Sequence, residues 1–284
     1  MFKTSKQVKD KIKNLASKTK GNPQELLQIY MFERLLERIS LSKYNENFII
    51  KGGLLLSSIL GVDLRTTRDI DTTIKGFPVT EETMLAAIEE ILNVPVDDNV
   101  TFIIEKINQI REDSEYVDFR FSLLAIQDNM KIRFHIDITT GDIITPHEIE
   151  FQYPFMFSDQ TIKVLAYPLE TVLAEKLETI LRRGISNTRT RDFYDLYMLY
   201  DLKGEAIDWS NMIKAINNTS KARNSEIFIK DYKEILNVLS KDSSLKNAWE
   251  IYSRKHPYAT KVSFSDTIEA IWDIMNKIEE SMNI

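Results

Sequence analysis

The 284 residues are 43% hydrophobic and 28% charged, the balance of a folded globular protein, and they suffice for two moderate domains with full cores, the division expected here. No apolar run approaches the roughly 20 residues of a membrane span, the N-terminus has no signal-peptide block, and the absence of cysteine excludes disulfides and thiolate metal sites, so a soluble cytoplasmic protein with no membrane association is expected. The net charge of −6 does not predict nucleic-acid binding, yet it hides segregation: residues 1–20 carry seven lysines against one acid, residues 182–191 four arginines, and residues 80–118 eleven acids against two bases.

Val8, Ile12 and Leu15 recur at helical spacing, and Pro23 opens a second helix whose apolar face includes Leu27, Tyr30, Met31 and Leu35. Residues 1–45 are therefore expected to form an N-terminal helical arm. From about residue 47 short β-rich runs follow: NFIIK, RDIDTTI, TFIIEKINQIR, YVDFRFSLLAI and KIRFHIDIT, with helical patterns at 54–60 and 80–92 between the early ones. They predict a mixed-sheet domain over 46–167. After Tyr167-Pro168 the strand signal stops, and helices are expected at about 168–183, 191–202, 208–219, 224–239 and 263–281, giving a helical domain over 168–284. The fold class is α+β with two lobes.

Chemistry concentrates in the strand-rich part. Asp69 and Asp71 stand two apart in a predicted strand, so the period of two puts Ile70, Thr72 and Ile74 on one face and both aspartates on the other, where they can share an ion. RFHIDIT repeats the device: Phe134, Ile136 and Ile138 point one way, His135 and Asp137 the other, and Asp137 would complete a three-carboxylate cluster. With only three scattered histidines, His135, His147 and His256, a metal site must rest mainly on carboxylates, which favours Mg²⁺ (or Mn²⁺) over Zn²⁺. Such a cluster suits two-metal phosphoryl transfer. Upstream, FIIKGGLLLSSIL reads as a buried strand, a Gly52-Gly53 turn and a helix, with Ser57 and Ser58 one turn inside. Glycines without Cβ let a phosphate approach the backbone, and the helix start offers unpaired N–H groups. Alone, a DxD or a Gly-Gly is a weak signal; the order strand, GG, helix, DxD strand and later Asp137 strand is far more restrictive.

In LETVLAEKLETILRR, Leu169, Val172, Leu173, Leu177 and Ile180 form an apolar stripe that leaves Glu175, Lys176 and Glu178 off the core, so Lys176 can reach a triphosphate. In RTRDFYDLYMLY, Phe193, Leu196, Tyr197 and Tyr200 form the apolar side, and either Asp192 or Asp195, three apart, can orient Lys176.

FIIKGGLLLSSILGVDLRTTRDIDTTI, FHIDI and LAEKLETILRRGISNTRTRDFYDLYML together resemble the DNA polymerase β-like nucleotidyltransferase superfamily, and within it the AbiEii/AbiGii-type toxins, to which the MenT toxins are related. The first stretch looks like the family's glycine pair followed by R-x-[ST]-x-D-h-D, filled by Arg65, Thr67, Asp69 and Asp71. The gap of fifteen residues between Gly53 and Asp69 favours the toxin branch. The third stretch looks like the family's E-K followed by R-D-h-Y-D-L. The resemblance implies a bilobed nucleotidyltransferase of a toxin–antitoxin or abortive phage-infection system, with a mixed-sheet palm and a helical lobe closing over the nucleotide. It assigns catalytic roles to Asp69, Asp71, Asp137, Lys176 and Asp192, metal binding to Asp69, Asp71 and Asp137, and NTP binding to Gly52, Gly53, Ser57, Arg65, Thr67 and Lys176. Its choice of Asp192 over Asp195 rests on the family alone. The acceptor it implies is RNA, the tRNA 3′ end, with translation blocked as the outcome, and a cognate AbiEi-like antitoxin encoded nearby as partner. A protein acceptor, or a GTP-binding regulatory module without turnover, are the alternative readings of the same residues. The basic stretches Lys3–Lys20 and Arg182–Arg191 are candidate tRNA-backbone contacts.

Overall fold

A computed structural model of the chain describes residues 2–110 and 118–282; the expected strand ends at Arg111 and at Tyr116-Val117 lie outside them. Two compact units result, residues 1–142 with 149–166, and residues 143–148 with 167–284. Among the described residues, no helix is long and apolar enough to cross a membrane.

The first unit opens with α1 (Ser5–Thr19) and α2 (Pro23–Leu41). Thr4 and Gln7 form a capping box on α1, and Asn22 caps α2 ahead of Pro23 at its first turn, the arrangement that satisfies orphan helix amides. These helices were expected as a separate arm; they instead pack within the first unit, because α2 buries nearly all round. Its Arg38 donates two hydrogen bonds to Asp98, at 2.8 and 3.0 Å, and one to the Val100 carbonyl at 2.8 Å.

Next come β1 (Phe48–Lys51), α3 (Gly52–Leu60), β2 (Asp69–Ile74), α4 (Glu81–Leu92), β3 (Thr101–Gln109), β4 (Phe119–Gln127) and β5 (Met130–Thr139). Two further strands, β6 (Ile149–Pro154) and β7 (Thr161–Ala166), were not among the runs read from the sequence. They form an antiparallel pair, and β7 runs parallel to β1, which completes a seven-stranded mixed sheet in the order β3-β4-β5-β2-β1-β7-β6. The period of two divides its centre cleanly. Phe134, Ile136, Ile138, Ile70, Phe121 and Ile50 are buried on one face, where Phe32 of α2 meets Phe134 edge-on at 5.0 Å. Lys51, Asp69, Asp71, Arg120 and Asp137 take the other face, while Thr72 is buried on the apolar one.

The second unit is helical: α5 (Leu169–Arg183), α6 (Thr190–Lys203), α7 (Trp209–Ala222), α8 (Glu226–Lys230), α9 (Tyr232–Leu239), α10 (Ser243–Lys255) and α11 (Phe264–Met282). Leu173, Leu177, Phe193, Leu196, Ile271 and Ile274 are among its fully buried side chains. The helix expected over 224–239 breaks at Asp231, and α10 was missed altogether, although Asp242 caps it through the Leu245 amide at 2.8 Å. Residues 143–148 join this unit because Thr145 and Thr171 exchange two hydrogen bonds of 2.9 Å, and Asn218 donates to the Thr145 hydroxyl at 3.1 Å.

Candidate active site

The polar face of the first unit is built by strand register. β2 and β5 pair in parallel, placing Asp71 beside Asp137 and Asp69 beside His135; β1 puts Lys51 beside Asp71, and β4 puts Arg120 beside Asp137. Side chains of directly paired residues share a face, so the three carboxylates expected to act together do lie on one side of the sheet.

The glycine turn meets this cluster from the end of β1. Gly52 has φ +60°, and a Cβ built there would lie 2.0 Å from Asp71 Oδ2. The Gly53 amide donates to the same oxygen at 3.4 Å, and a Cβ on Gly53 would lie 2.3 Å from the Thr67 hydroxyl. The turn therefore needs glycine for a reason the sequence did not suggest: the vacated space admits the Asp71 carboxylate and the Thr67 side chain. Thr67 in turn donates to the Asp69 carbonyl at 3.2 Å. Arg65 is buried and donates to the Thr66 carbonyl, and one of its guanidinium nitrogens would stand 3.4 Å from a Cβ on Gly53. The segment before β2 is braced by Glu25 of α2, which accepts from the Thr66 hydroxyl and, at 3.0 Å, from Arg68 Nε.

Ser57 does not share in this. It is buried in α3 and its hydroxyl donates back to the Gly53 carbonyl at 2.8 Å, a helix-internal bond.

Burial pushes the Asp71 carboxyl above its ordinary range; the neighbouring charges of Asp137 and Asp69 push the same way, against Lys51 and the Gly53 amide. Two cations that sequence reasoning did not single out manage the rest of the charge. Arg120 grips Asp137 bidentately, Nε to Oδ1 at 2.7 Å and Nη2 to Oδ2 at 2.6 Å. Lys51 donates to Asp142 at 2.5 Å and to the Thr139 hydroxyl at 2.7 Å. Asp142 also accepts from Thr73 at 2.7 Å; burial opposes its charge, but Lys51 and the two hydroxyls outweigh that and hold its carboxyl down at about 2. The signal for Arg120 was present: a basic residue interrupts the apolar run of β4, and β4 and β5 are joined by a two-residue turn, Asp128-Asn129, which sets the register.

In donor chemistry the face fits a hard divalent cation: acidic oxygens from two adjacent strands, with neither Asp69 nor Asp71 in an ion pair among the described residues. As it stands, no group of three acidic or histidine side chains among the described residues is gathered closely enough to hold an ion, and Asp137 is the member engaged elsewhere.

In the second unit Lys176 Nζ donates to Asp192 Oδ1 and to Asp195 Oδ2, both at 2.8 Å. Burial pulls the ammonium down, but the two carboxylates outweigh it and hold it above the ordinary lysine range. Distance does not separate the aspartates; exposure does, since the Asp195 side chain is 1% exposed and that of Asp192 13%. Of the basic stretch 182–191, Arg182 is committed to the buried Glu178 at 2.6 Å.

The solved structure of JHP933 from Helicobacter pylori is similar over 92% of this chain and 96% of its own, with a TM-score of 0.51 and 13% identity. A nucleotidyltransferase candidate from H. pylori is similar over 92% and 98%, with a TM-score of 0.50 and 14% identity. At such identities the likeness shows the fold. No curated protein matches the sequence. The model of the family described as "Nucleotidyl transferase AbiEii toxin, Type IV TA system" matches residues 34–276, which span β1 with its glycine turn, the paired aspartates, and both helices that carry Lys176, Asp192 and Asp195. The chain belongs to this AbiEii nucleotidyl transferase toxin family of type IV toxin–antitoxin systems.

Proposed function

We propose that the protein transfers a nucleotidyl group from an NTP to an RNA acceptor, the 3′ end of tRNA, and that the blocked acceptor halts translation. The observation that carries the reading is the register of β2 against β5, which sets Asp71 beside Asp137 with the Gly53 amide on Asp71. In the reaction an acceptor hydroxyl oxygen forms a bond to the α-phosphorus, the bond from that phosphorus to the departing pyrophosphate breaks, and the hydroxyl proton leaves to a base. Asp137 is the base assigned here. Divalent ions bound by Asp69 and Asp71, with Asp137 as a third donor, would supply charge neutralisation of the triphosphate and of the leaving pyrophosphate. Gly52, Gly53 and Thr67 form the turn against which the phosphates are proposed to lie, with Arg65 fixing that turn from beneath.

Lys176, held charged between Asp192 and Asp195, is assigned to the triphosphate on the strength of the family pattern. Lysines 6, 9, 11, 13, 18 and 20 are exposed on α1 and its C-terminal cap and suit phosphate-backbone contact, whereas Arg182 is tied to Glu178. A cognate antitoxin, AbiEi-like and encoded nearby, is the proposed protein partner.

The test is incubation of the purified protein with each labelled NTP, Mg²⁺ and either total tRNA or total protein, followed by sequencing of tRNA 3′ ends. Label on tRNA that disappears with Asp71→Ala is the expected result. Label on protein alone moves the acceptor to a polypeptide, and NTP binding without pyrophosphate release leaves a regulatory nucleotide-binding module. Charge reversal at Lys9 and Lys13 is expected to weaken tRNA binding while leaving NTP binding intact.

A further inference from the structure

Three carboxylates on two adjacent strands repel one another, and a neighbouring cation eases that repulsion. Arg120 does so in the structure. Its guanidinium makes two short, parallel bonds to both oxygens of Asp137, the geometry in which an arginine–carboxylate pair is strongest. Its charge is also felt by Asp69 and Asp71. A carboxylate has about four lone-pair sites and the fork takes one on each oxygen, so Asp137 is left a poorer ligand while Arg120 holds it, and the arginine's charge opposes a cation beside it.

The two partners differ in freedom. Asp137 sits within β5, its side chain 16% exposed and its carbonyl bonded by the Thr72 hydroxyl at 3.1 Å. The Arg120 side chain is 42% exposed on a long stem, and can leave without disturbing the sheet. If one of the two turns away, it is the arginine.

We infer that Arg120 is a placeholder cation, which holds Asp137 while the site is empty and must release it before the third carboxylate can join a divalent ion. The inference rests on the metal-binding reading of this face proposed above. Its consequence is that metal affinity of the free protein is held down by an internal competitor. Occupancy is then favoured when an NTP arrives with its own cation, whose phosphates give the released guanidinium a new partner.

The experiment is a titration of the full-length protein with Mn²⁺ alone, followed by electron paramagnetic resonance of the free ion, for the wild type, Arg120→Gln, Arg120→Lys and Asp71→Asn. Loss of a charge-assisted competitor is expected to tighten Mn²⁺ binding by about tenfold in Arg120→Gln. Arg120→Lys, which keeps the charge but not the fork, should fall between Gln and wild type, and Asp71→Asn should bind more weakly than wild type. Affinity in Arg120→Gln equal to or weaker than wild type overturns the inference while leaving the metal reading standing. Absence of Mn²⁺ binding in every variant removes the metal reading, and the inference with it. Should Arg120→Gln fail to fold, the wild type still decides: the Arg120 Nε–H resonance is expected to shift when Mg²⁺ saturates the protein, and an unmoved resonance at saturation overturns the placeholder.

Discussion

Replacing Gly52 by alanine separates what the glycine turn does for the backbone from what it does for the carboxylates. The residue has φ +60°, where an L side chain costs roughly 1–2 kcal/mol. A Cβ would also stand 2.0 Å from Oδ2, 2.7 Å from Cγ and 2.9 Å from Cβ of Asp71, so the whole side chain, not a flexible tip, is in the way. Restoring ordinary contact displaces Asp71 by more than about 1 Å, and a misplacement of about 1 Å costs on the order of 100-fold in rate. Gly76 is the control: its φ is +68°, but the nearest atom to its Cβ is Asn47 Nδ2 at 3.7 Å. Gly76→Ala should lose about 1–2 kcal/mol by thermal or urea unfolding and keep nucleotidyl transfer within a few-fold. Gly52→Ala should lose at least that stability and, in the labelled-NTP assay, about 100-fold or more of the transfer. Gly53→Ala, without a positive φ but with Thr67 Oγ1 2.3 Å from the added methyl, should keep the backbone energy and still impair transfer. Equal transfer in Gly52→Ala and Gly76→Ala refutes the reasoning.

Asp98→Ala strips Arg38 of its partner inside the protein, where the two side chains are 0% and 4% exposed, and unfolding in urea should show a loss of about 3–5 kcal/mol. Asp195→Asn leaves the Lys176 ammonium with Asp192 alone and should cost roughly 1–3 kcal/mol of stability, more than the same change at the better exposed Asp192. Glu33, whose carboxyl burial raises from 4.5 to about 8, is uncharged in the fold over the pH range where the unfolded chain ionises it. Its stabilising effect is therefore complete below pH 4.5 and lost as pH rises through about 8, a change of at most about 5 kcal/mol at roughly 1.4 kcal/mol per unit. Glu33→Gln keeps an acceptor for the Met156 amide, now bonded at 2.7 Å, so its melting temperature should vary less between about pH 5 and 8.5 than that of the wild type. Parallel profiles for the two proteins would refute the assignment.

How much of this was legible depends on which interactions are local. Asp69, Asp71 and Asp137 declared themselves because period two is a property of a single strand, and the apolar neighbours Ile70, Ile136 and Ile138 mark the opposite face. Arg120 was readable in principle. In a hairpin closed by two residues, partners lie equally far from the turn; Asp137 is seven residues past Met130 and Arg120 seven before Gln127. What had no local signature was the parallel pairing of β2 with β5 and of β1 with β7, which brings distant segments together. β6 and β7 escaped notice because polar outward positions, Glu150, Gln152, Thr161 and Lys163, dilute two short strands at one end of the sheet. The burial of Ser57 was hidden for a different reason: its hydroxyl is satisfied by its own helix, and such a serine reads the same in sequence whether it faces a ligand or the core.

Charge on the polar face then points to a particular kind of ligand. Four carboxylates, Asp69, Asp71, Asp137 and Asp142, face two cations, Lys51 and Arg120, and each cation is committed to an aspartate outside the DxD pair. Asp69 and Asp71 are the two that stand outside these ion pairs. Burial pushes the Asp71 carboxyl upward, the charges of Asp137 and Asp69 push the same way, and a cation on this face would oppose that shift. On the metal reading proposed above, these two carboxylates would share one divalent cation. A second ion would need a further anion, which on the same reading Asp137 would supply once Arg120 let go and triphosphate would supply in greater measure. On the placeholder reading proposed above, the face would take one ion on its own and a second only in the company of the nucleotide, so Arg120 would set the order in which they enter.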